Sequence, residues 1–296
     1  MARHIDLPRT GALRRIAPAI TPSAPMPHRR HRGSAIRHAI WALGAWTLLA
    51  LLHPGTAGAE HESSTDAPHP TVFASLPFAA TLTLPAQPAD AARMGVVVIA
   101  HDRLGSDTRA EPYAVQLLGA GIAVLDVLQP DADAAELDLA AAALATDNRF
   151  DPRRIGLLAF GAGGIAAART QAPFRAQALF YPGCATVAAT LPGVIRRRAD
   201  TEILLAHGSE DGANPAPACE ATANLMRAQG AGVRRVEYAA AGYAWDRPAF
   251  GLEGRSLLPR PDGQGRVVSV PRPDLTGLSA TTVASFFARA LRPAAQ

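Results

Sequence analysis

The sequence predicts an α/β domain: a doubly wound, mostly parallel sheet with helices on both faces. Three observations predict it. Val96-Val97-Val98-Ile99-Ala100 is an unbroken apolar, largely β-branched run, which suits a strand buried on both sides. Beyond it, strand-like and helix-like blocks alternate with short links, the order that builds parallel sheets by crossover connections. Finally, 48% of the 296 residues are hydrophobic, enough for a sizeable core.

The elements follow in order. After Val96–Ala100, a helix pattern runs from about Asp107, whose carboxylate can cap it, through Gly119-Ala120-Gly121. Ile122–Val127 reads as the next strand and about 133–146 as an alanine-rich helix. Asp151-Pro152 leads to a strand at Ile155, and a helix starts at Gly163. Strands at Ala176–Tyr181 and Glu202–Ala206, a helix at about 216–229, a strand at Val233–Tyr238 and a final helix at about 279–291 complete the alternation. Residues 247–276, rich in Pro, Gly and Arg, read as a long surface loop, and no internal repeat is seen.

Residues 1–59 read as a secretory signal peptide. Arg29, Arg30, Arg32 and Arg37 precede the apolar run Ile40–Leu52, Pro54-Gly55 breaks it, and Ala57-Gly58-Ala59 supplies a small-x-small cleavage site. That run is short of the roughly 20 residues of a bilayer span, so no membrane attachment is expected once the leader is cleaved. An uncleaved anchor is the alternative, and Met26 is a candidate true start. Residues 60–75 are expected to be a flexible tether and 76–296 the folded domain, placed in the periplasm or secreted.

Charge excludes two function classes. The chain has no lysine, so all 29 of its cations are arginines, and eight lie before residue 60 with one acid, Asp6. The remainder carries 21 arginines against 24 acids, a net of −3, which removes the nucleic-acid reading that the total of +4 invites. Without lysine, no Schiff base or lysine general base is available. The two cysteines, Cys184 and Cys219, follow the leader, so a disulfide between them is expected, with two separate buried thiols as the alternative. Neither has a cysteine or histidine at metal-ligand spacing, and no metal site is expected.

The stretch from Arg154 to Ala168 combines a strand, a glycine corner and a small-residue helix, the frame of a G-x-S-x-G nucleophile elbow. Where Ser or Cys should stand, the sequence has Gly161. A dinucleotide fingerprint is the competing reading. It lacks its third glycine, with Ala166 in that place, and no acid follows at about twenty residues, so no cofactor is expected.

From about residue 94 to 292 the sequence resembles the dienelactone hydrolase family of the α/β-hydrolase fold. Five segments carry the resemblance: Val98–Gly105, Asp151–Gly156, Ala159–Gly164 (similar to G-[YF]-[CS]-x-G-G), His207-Gly208-Ser209-Glu210-Asp211 (similar to H-G-x-x-D) and Val236–Asp246. The order nucleophile, acid, histidine fits that fold. Carried over by position, the resemblance puts Gly161 at the nucleophile, Asp211 at the triad acid and Tyr243 at the histidine. It also implies Asp102 near the nucleophile and Arg247 as a partner for a substrate carboxylate; Tyr243 and Trp245 would line or plug the pocket.

A triad needs a base to take the nucleophile's proton, and glycine and a phenol supply neither partner. The expected function is therefore an exported hydrolase-fold protein without the usual triad esterase activity, with a small ester or carboxylate as the candidate ligand. The alternative is an active ester or lactone hydrolase with a relocated site. Its candidates are His101 and His207, at strand ends with Asp102 and Asp211, and the hydroxyls of Ser106 and Ser209.

Overall fold

A computed structural model describes residues 68–87, 93–193, 200–248 and 254–293. The proposed leader, Met26, residues 60–67 of the tether and Arg196-Arg197-Arg198 lie outside the described residues.

Among the described residues, ten strands and six α-helices succeed one another. They are β1 (Thr71–Val72), β2 (Ala80–Thr83), β3 (Met94–Ala100), α1 (Glu111–Gly119), β4 (Ala123–Val127), α2 (Ala134–Thr146), β5 (Phe150–Phe160) and α3 (Gly163–Arg169). There follow β6 (Ala176–Phe180), α4 (Cys184–Thr190), β7 (Glu202–Gly208), α5 (Ala216–Ala228), β8 (Gly232–Tyr238), β9 (Ser256–Pro259), β10 (Arg266–Ser269) and α6 (Pro273–Ala290). Eight strands form one sheet in the order β1-β2-β4-β3-β5-β6-β7-β8. β1 and β2 run antiparallel to their neighbours, and every pairing from β4 to β8 is parallel.

The two faces follow from the period-two alternation of buried strands. Val96, Val98 and Ala100 point to one core, with Leu137 and Ala140 of α2, Ala167 of α3, Val187 of α4 and Met226 of α5. Val97 and Ile99 point to the other, with Tyr113 and Leu117 of α1 and Val283, Phe286 and Phe287 of α6. Helices therefore cover both faces, as a continuous apolar strand requires.

Helix starts have identifiable local causes. α2 has a reciprocal capping box: Glu136 N donates to Asp133 Oδ1 at 2.9 Å and Asp133 N donates to Glu136 Oε2 at 2.9 Å. α1 instead starts after Ala110 with no side-chain cap. The expected cap from Asp107 is thus corrected: its carboxylate accepts from Arg109 N at 2.9 Å and holds the Arg109 guanidinium, with Nη2 at 3.2 Å.

Two expectations about loops change. Residues 71–73, counted with the tether, enter the domain: β1 pairs with β2, and Phe73 is buried in the core. The expected loop 247–276 contains the β9–β10 hairpin and the first turn of α6. Leu258 and Val267 face each other inward across that hairpin, while Leu257 and Val268 face outward. The helix expected at about 279–291 begins six residues earlier, at Pro273.

Candidate functional site

The site lies at the carboxyl ends of β3, β5, β7 and β8, where open α/β sheets place their ligands. At the end of β5 the chain turns sharply into α3. Gly161 adopts φ +51°, a left-handed conformation that glycine takes without penalty, and its N–H donates to Phe180 O at 3.0 Å. The next glycines let α3 press against its neighbours. A Cβ on Gly163 would stand 2.8 Å from His101 O, and one on Gly164 would run into Pro182. The chain thus makes a sharp strand-to-helix corner at Gly161 with no side chain at its tip.

Tyr243 fills that tip. Its hydroxyl lies 2.6 Å from the point where a Cβ on Gly161 would stand, and Asp102 Cβ lies 2.9 Å from the same point. Tyr243 is buried and packs edge-to-face on Tyr181, with ring centroids 5.0 Å apart. Burial, reinforced by the nearby Asp102 carboxylate, pushes the phenol's pKa up, so it stays neutral and is no general base. Pro259, Arg260 and Pro261 from the β9–β10 hairpin close over Asp102, Ala162 and Tyr243, leaving no space for a water molecule between them. An open groove of about 430 Å³ also borders Ala162, lined by Arg103, Asp131, Ile165 and Arg169.

Beneath the plug lies a buried polar network that sequence reasoning missed. Arg109, with no exposed side-chain surface, places Nη1 2.9 Å from Asp102 Oδ2 and 3.3 Å from Tyr181 Oη. Asp246 accepts from the hydroxyls of Tyr113 and Tyr181, each at 2.6 Å, and Tyr113 Oη lies 2.9 Å from Ser279 Oγ. Burial opposes the charge on Asp102, but the Arg109 guanidinium and the Leu104 N–H outweigh it and hold the carboxyl below its ordinary value. For Asp246 burial dominates and its pKa is raised, against Arg109 and the two phenols. Arg247, the expected carboxylate partner, is 9% exposed and has Nη1 3.5 Å from Asp107 Oδ2. No sequence signal marked Arg109 among so many arginines, and Asp246 stood unremarked beside Trp245.

Asp211 lies in the turn three residues after β7, and its partners belong to that turn. Oδ1 accepts from Ala213 N at 2.8 Å and Asn214 N at 3.2 Å, and Oδ2 accepts from Asn214 Nδ2 at 2.9 Å. Burial nevertheless raises its pKa to about 6. Asn214 passes the connection on: its Oδ1 accepts from Gly183 N at 2.7 Å and Cys184 N at 3.0 Å. Cys184 is disulfide-bonded to Cys219, so the expected bridge is formed. Asp211, expected as the triad acid, thus anchors the loop before α4 through Asn214.

His101, Asp102, His207 and Asp211, the candidates of the relocated-site alternative, do not come together in one cluster. His101 and His207 end strands that have β5 and β6 between them. His101 Nε2 lies 2.6 Å from Asp126 Oδ1 on β4, and its ring stacks on Phe160. Ser106 Oγ reaches the other oxygen of Asp126 at 3.4 Å. Here the carboxylate stands between hydroxyl and imidazole, so the histidine cannot take the serine proton directly. His207 Nε2 lies 2.7 Å from Arg235 Nη1, and burial lowers its pKa. Ser209 Oγ accepts from Ala240 N at 2.9 Å.

No protein-family model and no curated protein sequence matches this chain. Solved structures do. Esterase 2 of Thermogutta terrifontis phosphonylated by cyclosarin is 16% identical, covering 77% of this chain and 96% of that one, with TM-score 0.54. The same enzyme phosphoramylated by tabun gives 17%, 74%, 93% and 0.52 in the same order. A puromycin hydrolase is 18% identical with TM-score 0.53, covering 75% of this chain but 39% of that one. The eight-stranded sheet, its covering helices and these likenesses together show that the chain has the α/β-hydrolase fold.

Proposed function

We propose that this chain is an exported, dienelactone hydrolase-like protein that has lost triad ester hydrolysis and serves as a binding or structural module. The observation that carries the reading is the Tyr243 hydroxyl at the tip of the elbow, 2.6 Å from the Cβ position of Gly161. A nucleophile there would need both a side chain and a neighbouring base, and the arrangement supplies a neutral phenol in the space of the first. The five segments in register from 94 to 292 support the subfamily. The leader-like N-terminus and the Cys184–Cys219 bridge support export to the periplasm or beyond.

A small ester or carboxylate ligand would have to bind outside the filled seat, because Arg247 is engaged with Asp107 and the hairpin closes the elbow. The relocated-site alternative gains nothing from Ser106 and His101, which contact the same carboxylate from opposite sides. The test is hydrolysis of p-nitrophenyl acetate by the purified chain, alongside labelling by a fluorophosphonate serine-hydrolase probe. The expected result is no turnover above buffer and no labelled serine. Turnover abolished by Asp211→Asn, or labelling of Ser106 or Ser209, would overturn the proposal.

A further inference from the structure

β8 ends the sheet, and among the described residues no strand pairs with its outer side. Its inner side is fixed by Gly232 N donating to Thr201 O at 3.0 Å and Ser209 N donating to Tyr238 O at 2.9 Å. Gly232, Arg234, Val236 and Tyr238 therefore bond inward, and strand alternation turns the N–H and C=O groups of Val233, Arg235 and Glu237 outward. The Val233 carbonyl accepts from the Arg227 side chain at 3.2 Å, which leaves the Arg235 and Glu237 pair as the open part of the edge.

The side chains on this edge complement themselves. Arg235 and Glu237 share one face, 2.8 Å apart, with side chains 26% and 36% exposed. If a second β8 is laid antiparallel about Val236, Arg235 stands opposite Glu237 of the partner subunit, and Glu237 opposite the partner's Arg235. The outward backbone groups of those same residues then form two hydrogen-bonded pairs, four bonds in all by this pairing geometry. On the other face, Val236 meets the partner's Val236. Shifting the axis to Arg235 or Glu237 would set like charges directly opposite, so the charge pattern selects a single register. Charged residues usually blunt an edge strand; in this register they join it.

We propose that the chain forms a twofold dimer through β8, antiparallel about Val236, joining two sheets into one continuous sheet. Such a contact is isologous and closes on itself, so it ends at the dimer.

Sedimentation equilibrium of the full-length chain, with each variant's fold checked by circular dichroism, tests the proposal. The native chain is expected to be dimeric. Arg235→Glu and Glu237→Arg should each shift it to monomer by placing like charges opposite each other, and the combined exchange should restore the dimer. Val236→Cys should link two chains by a disulfide under mild oxidation, because residues facing each other in a non-hydrogen-bonded pair have Cα atoms about 4.5 Å apart. Arg234→Cys should not.

Arg235 also contacts His207 and Glu220, so Arg235→Glu removes those contacts as well, and Glu237→Pro is the deciding variant. It removes an outward N–H and leaves the pairing with β7 intact. Monomers at every concentration of the native chain, or a dimer unchanged by Glu237→Pro, would overturn the proposal.

Discussion

The hydroxyl of Tyr243 and the Cβ that Gly161 lacks would occupy the same space, 2.6 Å from one another. The two positions are therefore coupled in packing: Gly161 carries no side chain, and the Tyr243 phenol fills the room beside it. Close packing makes such compensation necessary, since a void at the junction of four strands would cost stability.

Reversing both changes should return a little chemistry. Gly161→Ser combined with Tyr243→His places a hydroxyl on the elbow and an imidazole on the loop after β8, with Asp211 still in the turn after β7. Weak but measurable hydrolysis of p-nitrophenyl acetate is expected from the double variant and none from either single variant. A folded double variant with no turnover would show that the Pro259–Pro261 cover has closed the seat beyond repair.

Arg109 holds the network under the plug. Removing its charge leaves Asp102 buried without its 2.9 Å partner, and uncompensated buried charges of this kind cost about 3–5 kcal/mol. Arg109→Met should lower stability by that amount in urea unfolding, whereas Arg153→Met, at an exposed pair with Asp151, should change it by less than about 1 kcal/mol.

Asp211 links stability to pH. In the folded chain it keeps its proton up to about pH 6, while the unfolded chain releases it near 3.8. The folded state binds more protons in that window, so stability falls as pH rises from about 4 to 6, by roughly 3 kcal/mol for a shift of about two units. Asp246 acts in the same direction, and His207, whose lowered pKa makes the unfolded chain bind more protons below 6.5, acts in the opposite one. The difference between the native chain and Asp211→Asn isolates the first contribution. Asparagine adds a pH-independent cost by facing the Asn214 amide. Urea midpoints measured between pH 4 and 7 should converge toward the variant's as pH rises.

The disulfide closes a loop across a sequence separation of 35. Replacing both cysteines with alanine should cost about 2–4 kcal/mol, measured by urea unfolding of the oxidised native chain against the variant.

The sheet was readable because its core strands are continuous apolar runs. Val96–Ala100 and Ile155–Phe160 needed no long-range information to be placed. The β9–β10 hairpin was also written locally, in Asp262-Gly263-Gln264-Gly265 between Leu257-Leu258 and Val267-Val268, but the surrounding prolines and arginines obscured it. At the site, positions Gly161, Asp211 and Tyr243 were singled out by the resemblance, and each terminates or follows a strand. What spacing could not show is which side chains meet. Arg109 reaches Asp102 from seven residues away, and Tyr113 reaches Asp246 from 133 residues away. The first contact folds the segment between β3 and α1 back on itself and the second joins α1 to the loop after β8, and no local pattern encodes them.

The central claim is that the Tyr243 phenol occupies the place of the missing elbow side chain, and a double-mutant cycle measures this directly. Gly161→Ala in the native background should cost about 1–3 kcal/mol for overpacking against the phenol, plus about 1–2 kcal/mol for a Cβ at φ +51°. In the Tyr243→Phe background the oxygen is gone, and the backbone cost and the contact with Asp102 Cβ should remain, giving a coupling of at least about 1 kcal/mol in urea unfolding. Additive costs, with Gly161→Ala equally harmful in both backgrounds, would contradict the account.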